Sequence, residues 1–133
     1  MVDAQRLKYL RIVLVIIGII FIAGIYTLMM LSPAGWTWHT GTSYYPLMIV
    51  GVYAVLGVFL IMAARNPLAN LSLIWFTVWS SLVHAAIMAY QAANDPAQYA
   101  HFGGDIPALV IVAIVLAVLT PRGVNTVSTQ SAM

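Results

Sequence analysis

Four long apolar stretches, separated by short polar or turn-forming segments, organise this chain. The first, residues 12–31, runs for 20 positions without a charge, enough at 1.5 Å per residue to cross a hydrocarbon core of ~30 Å. The second, 46–64, opens at Pro46, which suits the first turn of a helix, and stops at Arg65-Asn66-Pro67. Only that turn separates it from the third, 68–93, the most polar of the four, so the two are expected to form an antiparallel hairpin. Asn94-Asp95-Pro96 ends the third, and a short interfacial helix is predicted over 96–102, with Asp95 as its cap and Pro96 at its first position. Gly103-Gly104 breaks the chain again. The fourth stretch, 106–120, has Asp105 as its expected cap, yet Ile106 to Leu119 is 14 residues, about 21 Å of helix. Such a segment crosses fully only if the residues before it sink into the interface or the bilayer thins.

Charge orients these stretches. Arg6, Lys8 and Arg11 precede the first, Arg65 lies between the second and third, and Arg122 follows the fourth, while the other two connections hold no basic residue. All five therefore fall on one side if every stretch crosses, and Lys and Arg are kept on the cytoplasmic face. The expectation is an all-α integral membrane four-helix bundle, antiparallel and up-down, with both termini cytoplasmic and residues 1–133 forming a single transmembrane domain. The first stretch follows basic residues as a signal peptide does, with Ser32 and Ala34 suiting a cleavage site. Its length exceeds the usual apolar core of a cleaved signal, so it is expected to stay as a helix.

Composition agrees. Apolar residues make up 63% of the chain and charged residues 6%, with a mean hydropathy of +1.00, far from the range of soluble domains. The lipid bilayer is thus the first expected partner, followed by further copies of the chain or a larger membrane complex, since four short helices leave little room for an internal site. The few basic residues flank apolar runs and form no patch for nucleic acid. There is no cysteine, hence no disulfide or thiolate chemistry.

Candidate chemistry gathers on the third stretch. At 100° per residue, Thr77, Ser81, His84, Met88 and Gln91 fall within an arc of about 80°. Facing lipid, His84 and Gln91 would leave polar groups unpaired at a cost of several kcal/mol, so the stripe is expected to face protein. There it either hydrogen-bonds to neighbouring helices or contacts a ligand. Small residues that let helices approach stand at Gly18 and Gly24, at Gly51, Ala54 and Gly57, and at Ala113 and Ala117. Gly18, Gly24, Tyr26 and Met29 are echoed 33 positions later by Gly51, Gly57, Phe59 and Met62, a match too sparse to support a repeat fold. His39, His101 and Asp105 are secondary candidates on the two connections without basic residues. No histidine pair has the i, i+3 or i+4 spacing of a helical ligand site, so no metal is expected. With Asp3, Asp95 and Asp105 as the only carboxylates and no glutamate, no catalytic set is expected either.

Two motifs carry a resemblance. Ser80-Ser81-Leu82-Val83-His84 with Met88 and Gln91-Ala92, and then His101-Phe102-Gly103-Gly104-Asp105-Ile106-Pro107-Ala108 closed by Pro121-Arg122, resemble a bacterial family of small four-pass membrane proteins of unknown function. The resemblance implies no activity, only that His84, Gln91 and the Gly-Gly-Asp turn belong to its pattern, and it places the chain in the bacterial inner membrane. The architecture is also loosely similar to DoxX-like proteins. Separately, His84-Ala85, Ile87, Tyr90-Gln91 and Asp95 are similar in spacing to the haem-ligating helix of the small membrane anchor of succinate dehydrogenase. That likeness would make His84 an axial haem ligand and put Asp95 near a quinone pocket. The present chain departs from it in having four stretches rather than three, and a bis-histidine haem would need a histidine from a partner chain. The first expectation for function is a non-enzymatic protein that binds a small ligand or serves as an accessory subunit of a membrane complex. The alternative is a haem- or quinone-binding redox subunit using His84. A small transporter or channel oligomer comes third, lacking the intramembrane charge of a proton- or cation-coupled carrier.

Overall fold

The computed structural model describes residues 3–38 and 44–122, and the described residues are helical apart from turns and short connections. α1 spans Ala4–Leu31. It begins well before the uncharged run at 12–31 because Asp3 caps it, its carboxylate accepting the Gln5 amide at 3.0 Å. Charge does not end a helix at a membrane surface. Long basic side chains lie along the helix and keep their heads in water. Within α1, Ile20–Gly24 forms a π turn before regular helix resumes at Ile25.

A single turn, α2 (Pro33–Trp36), leads into the connection, and α3 covers Tyr45–Ala63 with Pro46 in its first turn. Asn66 and Pro67 start a 3₁₀ turn over Pro67–Asn70, and α4 (Leu71–Asn94) then runs for 24 residues. The Asp95 cap is formed as expected, its Oδ1 accepting the Ala97 amide at 3.0 Å. The short helix expected over 96–102 is present as a 3₁₀ segment, Pro96–Gly103, which leads into α5, Asp105–Leu119. Pro96–Leu119 makes one apolar helical stretch of 24 residues, so the short fourth run gains the length it lacks in sequence. All four long helical stretches are long and apolar enough to cross a membrane.

Packing falls into two helix pairs, α1 with α3 and α4 with α5, so the hairpin expected of α3 and α4 is corrected: joined by a short turn, they touch little because α3 packs on α1. In the first pair Gly18 and Gly57 meet backbone to backbone. A Cβ built on Gly18 would lie 2.7 Å from the Gly57 carbonyl oxygen and 2.6 Å from Ile61. Gly51, by contrast, has open space beside it, so the 33-residue echo does not correspond to matching contacts. One core joins the pairs through Leu10, Leu14, Leu60, Ile74 and Leu116, each fully buried. A second, smaller core packs α4 on α5 through Ala85, Met88, Ala92, Ile106 and Leu109.

Arg6 closes this assembly at one end. Its guanidinium donates to the carbonyls of Val118, Leu119 and Thr120, the free acceptors at the end of α5. The start of the first helix is thereby tied to the end of the last.

Candidate functional site

Where α3 and α4 part, a cavity of about 620 Å³ opens between the helix pairs. The π turn of α1 forms part of its wall through Ile20 and Phe21, followed by Ile25 and Met29. π turns inside α-helices recur at functional sites. Phe21 meets Tyr53 of α3 edge to face, with ring centroids 4.8 Å apart. Most of the remaining wall is apolar, from Ile49 and Val50 of α3 to Leu109 and Val112 of α5. The expectation that four short helices leave little room for an internal site is therefore corrected. Because α3 packs on α1 rather than on α4, a chamber remains that local sequence pattern does not reveal.

Polar groups enter this chamber from two places. At the first, Tyr53 Oη and His84 Nδ1 are 2.6 Å apart, a hydrogen bond that bridges the gap between α3 and α4. With the Tyr53 hydroxyl donating to Nδ1, a neutral imidazole carries its proton on Nε2 and offers a donor on its far side; with Nδ1 protonated and donating to the hydroxyl, Nε2 is an acceptor instead. At the second, Asp105 stands at the first position of α5. Its Oδ2 accepts Trp38 Nε1 at 2.8 Å and its Oδ1 lies 2.9 Å from His101 Nδ1. Trp38 also stacks on His101 with centroids 4.0 Å apart and planes at 25°.

The expectation that Asp105 caps a helix is corrected: Gly104 holds the capping position, without a side-chain cap, and both carboxylate oxygens are engaged elsewhere. The carboxylate of a residue only 8% exposed needs such donors, and the amino end of α5 adds a favourable field. Glycine makes the arrangement possible. A Cβ on Gly104 would collide with the Gly35 carbonyl, so only this close approach seats α2 on the 3₁₀ segment and lays Trp38 over His101. His101 is wholly buried, and its Nε2 has no hydrogen-bond partner.

The residues singled out from sequence divide accordingly. His84, Met88, Gln91 and Asp105 line the chamber, with Gln91 otherwise exposed. Thr77 and Ser81 are buried away from it. Thr77 does not bond across to another helix; its hydroxyl donates to the Leu73 carbonyl one turn back, at 2.9 Å. His101 sits behind Asp105 and not in the wall. His39 lies outside the described residues. Asp95, tied to a quinone pocket by the narrower likeness, caps the 3₁₀ segment and lies at the chamber's rim. Among the described residues no group of three or more metal-binding side chains converges. Sequence reasoning does not assign Tyr53, Trp38 and Arg6 these roles. A lone tyrosine inside an apolar helix is the available signal for the first, because its hydroxyl needs a partner there.

Fold and chamber together define a class: an all-helical protein with four potential membrane-crossing helices around a mostly apolar cavity with two polar stations. Within that class the chain belongs to the family of unknown function DUF6632, whose family model matches residues 4–132. No curated protein and no solved structure matches it.

Proposed function

We propose that this is an integral membrane protein of the bacterial inner membrane, with both termini cytoplasmic, that binds an apolar small molecule bearing a hydrogen-bonding head group. The cavity of about 620 Å³ carries this reading. Ligand sites are typically concave and apolar with a few convergent polar groups that fix orientation, and here Tyr53–His84 and Asp105 supply those groups. The orientation follows from the placement of the basic residues, and the tie between Arg6 and the end of α5 supports a common side for the two termini.

The Tyr53–His84 pair favours a quinone-like head as the second, narrower reading, because a ring carbonyl is an acceptor suited to the donor edge that His84 offers when the Tyr53 hydroxyl donates to it. A haem is less well supported, since the other described histidine, His101, is committed to Asp105 and absent from the wall. Trp36 and Trp38 line the chamber and provide the assay. Full-length protein in lipid nanodiscs is titrated with a short-chain benzoquinone while tryptophan emission is followed. A saturable quench, weakened at least about tenfold in His84→Leu, supports the site; a linear, unsaturable quench identical in both proteins removes it.

A further inference from the structure

A second concavity, on the outer side of the α1–α3 pair, points to a different ligand. It measures about 520 Å³ and is bounded by Ile12, Val15, Ile16, Ile61 and Ala64, with Arg11 and Arg65 at its edge. The two helices touch most closely at Gly18 and Gly57. Arg11 stands seven residues before Gly18 and Arg65 eight after Gly57, so at 1.5 Å per residue both lie about 11 Å from the crossing, at matching heights. Leu10, Leu14 and Ile17 turn into the core while Ile12 and Ile16 on the other face of α1 stay about half exposed. The result is an apolar furrow whose open end carries two guanidinium groups. Among the described residues no carboxylate lies within ion-pair distance of either arginine. Arg6 differs, being consumed by the end of α5.

We infer that this furrow holds one anionic phospholipid, its phosphate between Arg11 and Arg65 and an acyl chain along Ile12, Ile16 and Ile61. Paired guanidinium groups suit a phosphate because each offers a fork of donors. Basic sites between membrane helices select anionic head groups in this way. A zwitterionic lipid would bring its own cation to the two arginines, and a free phosphate would leave the furrow unused. The inference requires that the helices cross a bilayer but is independent of the chamber and its ligand.

The test uses full-length protein, purified in detergent, stripped of lipid and mixed with equal amounts of dioleoyl phosphatidylglycerol and dioleoyl phosphatidylcholine before native mass spectrometry. The wild type is expected to retain one phosphatidylglycerol about thirtyfold over phosphatidylcholine, equivalent to about 2 kcal/mol for two arginines. The preference should vanish in Arg11→Gln/Arg65→Gln, persist in Lys8→Gln, and resist competition by glycerol phosphate. Equal retention of the two lipids by the wild type, an unchanged preference in the double variant, a loss in Lys8→Gln as large as in the double variant, or full displacement by glycerol phosphate would each overturn it. The wild-type comparison stands even if the double variant does not fold. Should the chain instead be monodisperse in water without detergent, the membrane reading itself fails, which is a separate outcome.

Discussion

Replacing Asp105 tests the polar architecture most directly. In Asp105→Ala, Trp38 Nε1 and His101 Nδ1 lose their acceptor together. An unsatisfied buried donor costs about 1–3 kcal/mol. His101 is completely buried and should bear a cost within that range, whereas Trp38 is only partly buried and recovers some hydration. The expected destabilisation is therefore about 2–4 kcal/mol, read from denaturant titration of the full chain in mixed micelles by tryptophan emission. Asp105→Asn separates charge from connectivity. Its amide oxygen can still accept from Trp38, and its amino group can donate to His101 once the imidazole proton moves to Nε2, the atom that is unpartnered in either state. The amide should thus recover at least half of the loss. If Asp105→Ala unfolds within about 0.5 kcal/mol of the wild type, below the cost of even one orphaned donor, the network contributes nothing to stability and the account of Asp105 is wrong.

Other substitutions address the remaining contacts. Gly18→Ala should destabilise the chain by about 1–3 kcal/mol through overpacking against Gly57, while Gly51→Ala, with nothing near it, should be neutral or stabilise by up to about 1 kcal/mol; the same titration compares them. Arg6→Gln should expose the final carbonyls of α5, measured as faster hydrogen exchange in its last turn, and Arg6→Lys should recover only part of the protection because an ammonium cannot span three acceptors as a guanidinium does. Tyr53→Phe should cost about 0.6–2 kcal/mol, the range for interhelical hydrogen bonds in membranes, and should also weaken benzoquinone quenching. Thr77→Val should cost less than about 1 kcal/mol because the lost bond lies within a single helix.

The four long helices are legible in sequence because lipid-crossing segments advertise themselves by length and absence of charge, independently of what they pack against. The Asp95 cap is legible for a similar reason, being local: a carboxylate one residue before Pro96 and two before the amide it accepts. The start of α1 is not, since the basic residues that seem to precede the helix are part of it. Nor is the role of Asp105, whose partners His101 and Trp38 come from a 3₁₀ segment and from a connection far back in the chain. Its position beside Gly103-Gly104 suggests a cap, and the Gly35–Gly104 contact that redirects it is invisible to any local window. The polar face of α4 can be drawn on a helical wheel. Which part of it meets a cavity depends on α3 pairing with α1, and that pairing rests on Gly18 meeting Gly57.

The π turn at Ile20–Gly24 gives α1 a phase change. In a continuous α-helix carrying the core positions Leu10, Leu14, Ile17 and Phe21, the line would drift with each further turn, and by Met29 it would have rotated about 100° from Leu10. One extra residue accommodated in the wider turn offsets an angle of that size, and Ile25 and Met29 stay in the chamber wall. A deletion of a single residue here would let the α-helical ladder run unbroken with Ile25 and Met29 still turned toward Tyr53 and His84, whereas straightening the turn with the residue retained would swing this end of α1 away from them. The shape of the chamber is in this respect governed by residue count as much as by residue type.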